Sequence, residues 1–404
     1  VHLFILKQHI LHLAAIARKR ERAIIGLMSG TSLDGLDVAL CTFRGAGLRT
    51  RVRVREFATV PYDEAFKAEI RRVFARREID FQHLVLLNAV IAERHAAIVQ
   101  QCLTRWGVRP EEVDLLASHG QTVFHAPRIF HGLEAYPNAT LQIGDGDHLA
   151  RRTGIITLSD FRQKHVAAGG EGAPLALYGD YFLFSKQGEN RFLLNIGGIA
   201  NFTFLPADGD PARAFATDTG PGNTLLDAFA RALFGVPYDE DALLAKAGRV
   251  DERLLELLKT EPFFGRPFPK TIGPELFSTD WVQAAYRQLP KGTPNPYDLM
   301  ATLTRLTADT VADALLSTAA GESRPALYLS GGGAHNPLIV HHLKEKLPQW
   351  KIRPMKTLGI DGDAKEAVLF AALANETVAG AVPHEGTVLG GVPLVGMGKV
   401  SLPG

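Results

Sequence analysis

The sequence predicts an α/β protein built from a duplicated unit with a ligand cleft between its halves, and three observations carry that expectation. From Ala23 onward, short β-runs alternate with helical stretches. Both halves open alike, with a β-run, a glycine turn and a second β-run: AIIGLMSG and LDVALCTF first, then RFLLNIGG and ANFTFL. Several strands end in polar or glycine residues, where open α/β sheets place their ligand-binding loops. The length agrees, since 404 residues at ~150 per domain suggest two or three domains.

Taken in order, VRVREFATV is a further alternating strand, and residues 64–77 and 81–106 read as helices by period. VDLLASHG, TLQIG and GIITLSDF follow as strands. The second half begins near residue 190; RAFATDTG leads into a helix opening at Pro221, and 295–319 is a long helix. ALYLSGGG runs into a helix at Pro337, and 363–376 is the last helix before a Gly- and Pro-rich tail. The expected organisation is an extension over 1–22, domain I over 23–170 plus 356–404, and domain II over 171–355. In the extension the basic run Arg18-Lys19-Arg20 follows the apolar stretch, the reverse of a signal peptide. It reads as a helix or as an over-extended reading frame.

Composition narrows the partners. Lys+Arg number 44 against 43 Asp+Glu, for net charge +1, which argues against a nucleic-acid binder that must neutralise phosphates. No stretch reaches spanning length, so no membrane partner and a cytoplasmic location are expected. Cys41 and Cys102 are too few for a disulfide framework and read as small core residues.

Three glycine turns suit an anionic ligand. In Gly26–Gly35, glycines admit close approach of backbone N–H groups to phosphate, with Ser29, Thr31 and Ser32 as hydroxyl donors. Asp34 and Asp37 suit a Mg²⁺, directly or through its waters. The other turns are Asn195–Asn201 and Ser330–Asn336. As a bare pattern the first is more often only a hairpin, and the third, after a strand and before a helix, could meet a nucleotide at the helix N-terminus. Each alone is a weak signal; together they suggest one nucleotide held from both sides. Asp218, between an apolar strand and an apolar helix, is either a turn residue or a general base, with Pro221 and Asn223 as capping residues. Ser118–Thr122 ends a strand with groups suited to sugar hydroxyls. His119 and His125 lack a third ligand for zinc, and neither GxxxxGK[ST] nor GxSxG occurs.

GLMSGTSLDGLDVAL, SHGQTVFH, LQIG, SDFR with AAGGEGAPL, LNIGGIAN, DTGPGNTLLDA, SGGGAHNPLI and GDAKEA occur in this order. This series resembles the anhydro-N-acetylmuramic acid kinases, a branch of the actin/Hsp70/sugar-kinase superfamily, over nearly the whole chain. The resemblance implies duplicated actin-like ATPase (ribonuclease H-like) domains flanking a nucleotide and sugar cleft. It also implies ATP-dependent phosphorylation of O6 of a 1,6-anhydro sugar while water opens the bridge, in cell-wall recycling. Ser29, Gly30, Thr31, Ser32, Leu33, Asp34, Gly35 and Leu36 match the ATP-phosphate motif, and Asp218 the catalytic base. Gly197, Gly198, Gly331, Gly332, Gly333 and Asn336 match the second-half nucleotide turns, while His119, Arg162, His165 and Glu366 fall on the sugar side. ATP and Mg²⁺, with Asp34 as a metal contact, and a homodimer are implied.

Two segments depart from the family's pattern. His165 stands where the family usually has Asp, and Lys270–Glu275 lacks the family's arginine. They leave the ATP site and the base intact but open the substrate to another anhydrosugar such as levoglucosan. A non-catalytic ATP-binding sensor is a separate alternative, and retention of Asp218, Asp34 and Glu366 favours an enzyme over it.

Overall fold

A strand buried on both faces is an apolar run rather than an alternation, and Ile24–Met28 is one. It forms the middle of β1 (Glu21–Ser29). The structure, a computed structural model, describes residues 2–273, 276–289, 295–323, 325–381 and 386–404, with backbone alone for 2–7. These residues form two compact units, 1–184 with 359–404 and 185–358.

The first unit begins with α1 (His2–Arg18), then β1, β2 (Gly35–Arg44), β3 (Arg51–Pro61), α2 (Glu64–Arg71) and α3 (Phe81–Trp106). There follow β4 (Leu115–Ala126), α4 (Arg128–His131), β5 (Ala139–Ile143), α5 (Gly146–Thr153), β6 (Thr157–Ser159), α6 (Phe161–Ala167) and α7 (Ala176–Phe184). Its sheet runs β3-β2-β1-β4-β6, with β5 paired to the end of β4. β1, β2 and β3 are antiparallel; β4 and β6 run parallel to β1.

The second unit holds β7 (Asn190–Ile196), β8 (Ile199–Leu205), β9 (Phe215–Pro221), α8 (Asn223–Phe234), α9 (Leu243–Lys246), α10 (Glu252–Lys259) and α11 (Thr279–Tyr286). It continues with α12 (Pro296–Thr318), β10 (Pro325–Ser330), α13 (Pro337–Lys346) and β11 (Lys351–Pro354). Its order, β9-β8-β7-β10-β11, and its directions repeat those of the first sheet. Three antiparallel strands followed by two parallel ones, present twice, is the duplicated ribonuclease H-like arrangement of the actin-like fold. The chain then returns to the first unit through α14 (Lys365–Ala379), the short pair β12 (Val388–Leu389) and β13 (Val392–Pro393), and β14 (Lys399–Ser401), which pairs with β6.

Helix ends follow their capping chemistry. Asp80 accepts from the His83 N–H at the start of α3, and Gly107 closes it in the left-handed region. Asn295 caps α12 above Pro296, and the interior of α12 is buried over most of its length.

The structure corrects the sequence reading in several places. The helix expected over 64–77 ends at Arg71. Pro221 closes β9 instead of opening a helix; α8 starts at Asn223, whose side chain does not cap it. In GIITLSDF only Thr157–Ser159 is strand: Gly154 is the left-handed cap that closes α5, and Asp160 turns left-handed (φ 54) into α6. The 1–22 extension is part of the first unit: Ile16 is buried, and Lys19 pairs with Asp114. The boundary drawn at 170 moves to 184, since α7 packs on α14 and Lys365 Nζ lies 2.7 Å from the buried carboxylate of Asp180.

Candidate active site

Between β1 and β2, the first glycine turn is anchored from below and open above. Leu33 takes a left-handed conformation (φ 60) that an L side chain adopts only when its surroundings hold it, and its side chain is buried in the core. Gly35 lies so close to β3 that a Cβ would stand 2.3 Å from Val60 O. Leu36 is buried as well. These residues shape the turn, and the exposed side chains of Thr31, Ser32 and Asp34 face outward. The Thr31 and Ser32 N–H groups make no backbone hydrogen bond among the described residues. Ser29 differs from expectation: its hydroxyl is buried, donates to Gln121 Oε1 at 2.6 Å and accepts from Tyr62 Oη at 3.0 Å. It supports the turn and is not a phosphate donor.

Around this turn sit several carboxylates. Asp37 accepts from Thr59 Oγ1 at 2.6 Å; burial first, then the charges of Asp363 and Asp34, raise its pKa. Glu366, in the first turn of α14, is solvent-exposed, yet partial desolvation and repulsion from Asp37 hold its pKa above the usual carboxylate value against Arg162 and Lys365. Among the described residues, three ligating atoms converge within 4.8 Å only at His341, His342 and Glu345 on α13. The acids at the turn therefore form no ready-made cage. Exposed Asp34 suits a Mg²⁺ that keeps most of its waters and is carried by phosphate.

Of the four residues expected to face a sugar, three come together. Arg162 donates from Nε to His119 Nε2 at 3.1 Å and from Nη1 to Gly172 O at 2.7 Å. Burial lowers its pKa to about 10, and Glu366 opposes the shift. His119 is buried, tilted against Phe370 and held neutral, its pKa lowered to about 3 by desolvation and by Arg162. His165 is the correction. It is fully buried under the 168–173 turn, where Nδ1 accepts from the Gly172 N–H at 2.8 Å and a Cβ on Gly170 would strike the ring at 2.3 Å. Its ring edge meets Tyr178. It shapes the turn that gives Arg162 its carbonyl and does not face a sugar.

In the second unit the two glycine turns meet. A Cβ on Gly331 (φ +80) would lie 2.6 Å from Asn195 Oδ1, and one on Gly333 would lie 2.2 Å from Ile196 Cγ2. Asn223, read from sequence as a cap, braces them: its Nδ2 donates to Ile196 O at 3.1 Å, beside Gly332 and Gly333. Gly197 and Gly198 offer their carbonyls to the first amides of α8 (Gly197 O to the Asn223 N–H, 2.7 Å), so that helix start is already satisfied. Asn336 caps α13 through its side-chain oxygen, accepting from Leu338 and Ile339 at 3.0 and 3.1 Å. With Gly332, Asn223, Asp227 and Tyr238 it lines a cavity of about 500 Å³.

Asp218 lies in β9, half-buried. Its Oδ2 accepts from the Ile272 N–H at 2.9 Å, and its own N–H donates to Lys270 O at 2.9 Å. Burial raises its pKa, and the Ile272 bond only partly offsets that. One oxygen is thereby oriented, and the other is left for a proton. Lys270 is engaged elsewhere: its Nζ donates to Phe263 O and Phe264 O at 3.0 and 2.9 Å and lies against the rings of Phe263 and Phe268. Pro274 and Glu275 of the divergent segment lie outside the described residues.

Fold and turns together define the class: an actin-like ATPase fold of the sugar-kinase kind. Within that class the sequence identifies the family. The family model for anhydro-N-acetylmuramic acid kinase matches residues 22–399, and the chain belongs to this family. A relative from Pseudoalteromonas atlantica, named anhydro-N-acetylmuramic acid kinase, is 48% identical over 98% of this chain and 100% of its own. One from Pseudoalteromonas translucida with the same name is 48% identical over 97% and 98%. One from Caldanaerobacter subterraneus, again so named, is 39% identical over 96% and 99%.

Sequence reasoning missed Tyr62, His95 and the bracing role of Asn223. Nothing in the local pattern marks Tyr62 or His95, whose partners are 33 residues away in sequence.

Proposed function

We propose that this chain phosphorylates O6 of 1,6-anhydro-N-acetylmuramic acid with ATP while hydrolysing the anhydro bridge, giving N-acetylmuramic acid 6-phosphate for cell-wall recycling. The observation that carries the reading is Asp218, a half-buried carboxylate with a raised pKa and one oxygen fixed by Ile272. Asp218 takes a proton from water, and the water oxygen bonds to C1. The C1–O6 bond breaks, and O6 keeps its electron pair and bonds to the γ-phosphorus as ADP leaves. The strained bicyclic acetal assists bond breaking, so a single base with charge stabilisation at phosphate suffices.

Arg162, Glu366 and neutral His119 orient the sugar in this reading; the Thr31 and Ser32 amides are the phosphate donors of the first unit, and the 331–333 turn is the nucleotide turn of the second. Mg²⁺ would neutralise charge on the transferring phosphoryl group, with Asp34 as its protein contact. His165, buried beneath its own turn, supplies no reason to prefer a different anhydrosugar. The test is a thermal-shift series of 1,6-anhydro sugars with ATP and Mg²⁺, followed by product mass. The muramic sugar should give the largest shift and a product heavier by one HPO₃ plus one H₂O. A preference for levoglucosan, or binding without turnover, would contradict the reading.

The raised pKa of Asp218 has a kinetic consequence. Activity needs its ionised form, so kcat/KM should fall with decreasing pH through a value above that of an ordinary Asp. An acid limb at or below the unperturbed position would remove Asp218 as the titrating base.

We also assign a homodimer and a cytoplasmic location to this reading. No helix among the described residues is long and apolar enough to cross a membrane. Phe81, Val85, Leu86 and Val90 are exposed apolar side chains on α3, at 74, 56, 57 and 49%, of the kind a subunit contact covers. Light scattering should give twice the chain mass, and Phe81→Glu with Val85→Glu should return it to one; a monomeric native protein refutes the dimer.

A further inference from the structure

Beneath the first phosphate turn runs a line of buried polar groups that no step of the proposed reaction uses. His95 Nε2, on α3, lies 2.7 Å from Tyr62 Oη, which lies 3.0 Å from Ser29 Oγ. Ser29 Oγ is 2.6 Å from Gln121 Oε1, and Gln121 Nε2 is 3.4 Å from Gly30 O. All four side chains are buried.

The direction of each bond follows from counting hydrogens. Gln121 Oε1 has none, so Ser29 donates to it. Ser29 then has no hydrogen left, so Tyr62 donates to Ser29. Tyr62 in turn accepts, and His95 must carry its proton on Nε2. Burial lowers the His95 pKa to about 3, so the ring is neutral at working pH with Nδ1 bare; that atom has no hydrogen-bond partner among the described residues. Run the other way, the same bonds would set Gln121 Oε1 against Gly30 O, oxygen facing oxygen, so the amide is held with its NH₂ toward Gly30 O.

A trans peptide plane points its C=O and the following N–H in opposite directions. Gly30 O is drawn inward by Gln121 Nε2 and by the Leu33 N–H at 3.3 Å. The Thr31 N–H is therefore turned outward, to the exposed mouth of the turn. Glycine at 30 leaves this peptide otherwise able to flip. We infer that His95, Tyr62, Ser29 and Gln121 are positioning residues that lock the Gly30–Thr31 peptide with its N–H toward a nucleotide phosphate.

The inference rests on the ATP reading above, and calorimetry separates the two. Wild type and Tyr62→Phe are titrated with a non-hydrolysable ATP analogue, with adenosine and with the 1,6-anhydro sugar. Tyr62→Phe removes one oxygen and frees Ser29 to release Gln121. Its affinity for the analogue should fall about tenfold, ~1.4 kcal/mol, with affinity for the two phosphate-free ligands unchanged. Gln121→Met, which lacks the amide, should show the same selective loss and serves if Tyr62→Phe melts too low to titrate. Unchanged analogue affinity in the variant, or equal losses for all three ligands, overturns the positioning role alone. A wild type that binds no analogue overturns it together with the ATP reading.

Discussion

Asp218→Asn should lower kcat by roughly 10²- to 10⁴-fold, the usual cost of losing a general base, while ATP and sugar still bind. Asparagine keeps the size of the side chain, and its amide oxygen still accepts from the Ile272 N–H at the position Oδ2 holds, 2.9 Å away. What disappears is the ability to receive a proton from water at the other oxygen. Because the bond to the Lys270 carbonyl comes from the Asp218 backbone N–H, the strand end stays in place. Steady-state rates on the muramic sugar, with binding followed separately by calorimetry, measure this. Near-normal turnover would take Asp218 out of the mechanism, and loss of binding together with rate would make its role structural.

Gly26→Ala should be the most disruptive small substitution in the first unit. A Cβ at 26 would stand 1.8 Å from Ala367 O, 2.8 Å from Ala367 C and 3.1 Å from Ala371 Cβ, where α14 crosses β1. Backbone cannot rotate aside as a side chain does, so the helix must lift. Overpacking costs typically 1–3 kcal/mol and more against rigid neighbours; about 3 kcal/mol corresponds to a Tm loss of roughly 6–12 °C at this size. Ala367 follows Glu366 directly, so the same displacement should raise KM for the sugar. A melting temperature within a degree of wild type would mean that the β1–α14 contact is looser than described.

The duplicated architecture was legible because its signals are local. The β-run, glycine turn and β-run of each half lie within about twenty residues, and they became β1–β2 and β7–β8 with the turns where they were expected. The buried apolar runs gave the central strands, and the 81–106 helix matched α3 end to end. Failures came where tertiary contacts decide. Pro221 looked like a helix start because Pro favours that position, yet the Ile199–Pro221 pairing extends β9 through it. His165 looked like a sugar ligand through its place in a motif, whereas Gly170 and Gly172 fold over its ring. Ser29 had the right chemistry for phosphate, but Gln121, 92 residues on, captures its hydroxyl. A motif locates a turn; packing decides which of its atoms reach a ligand.

The most direct test of the account is a reaction run in ¹⁸O-water, quenched early, with the phosphorylated sugar fragmented by mass spectrometry. Water attacking C1 while O6 takes the phosphoryl group places one ¹⁸O on the anomeric carbon and none in the phosphate. A phosphorylated product that keeps its anhydro bridge, or label found only in phosphate, would contradict hydrolytic opening coupled to phosphorylation.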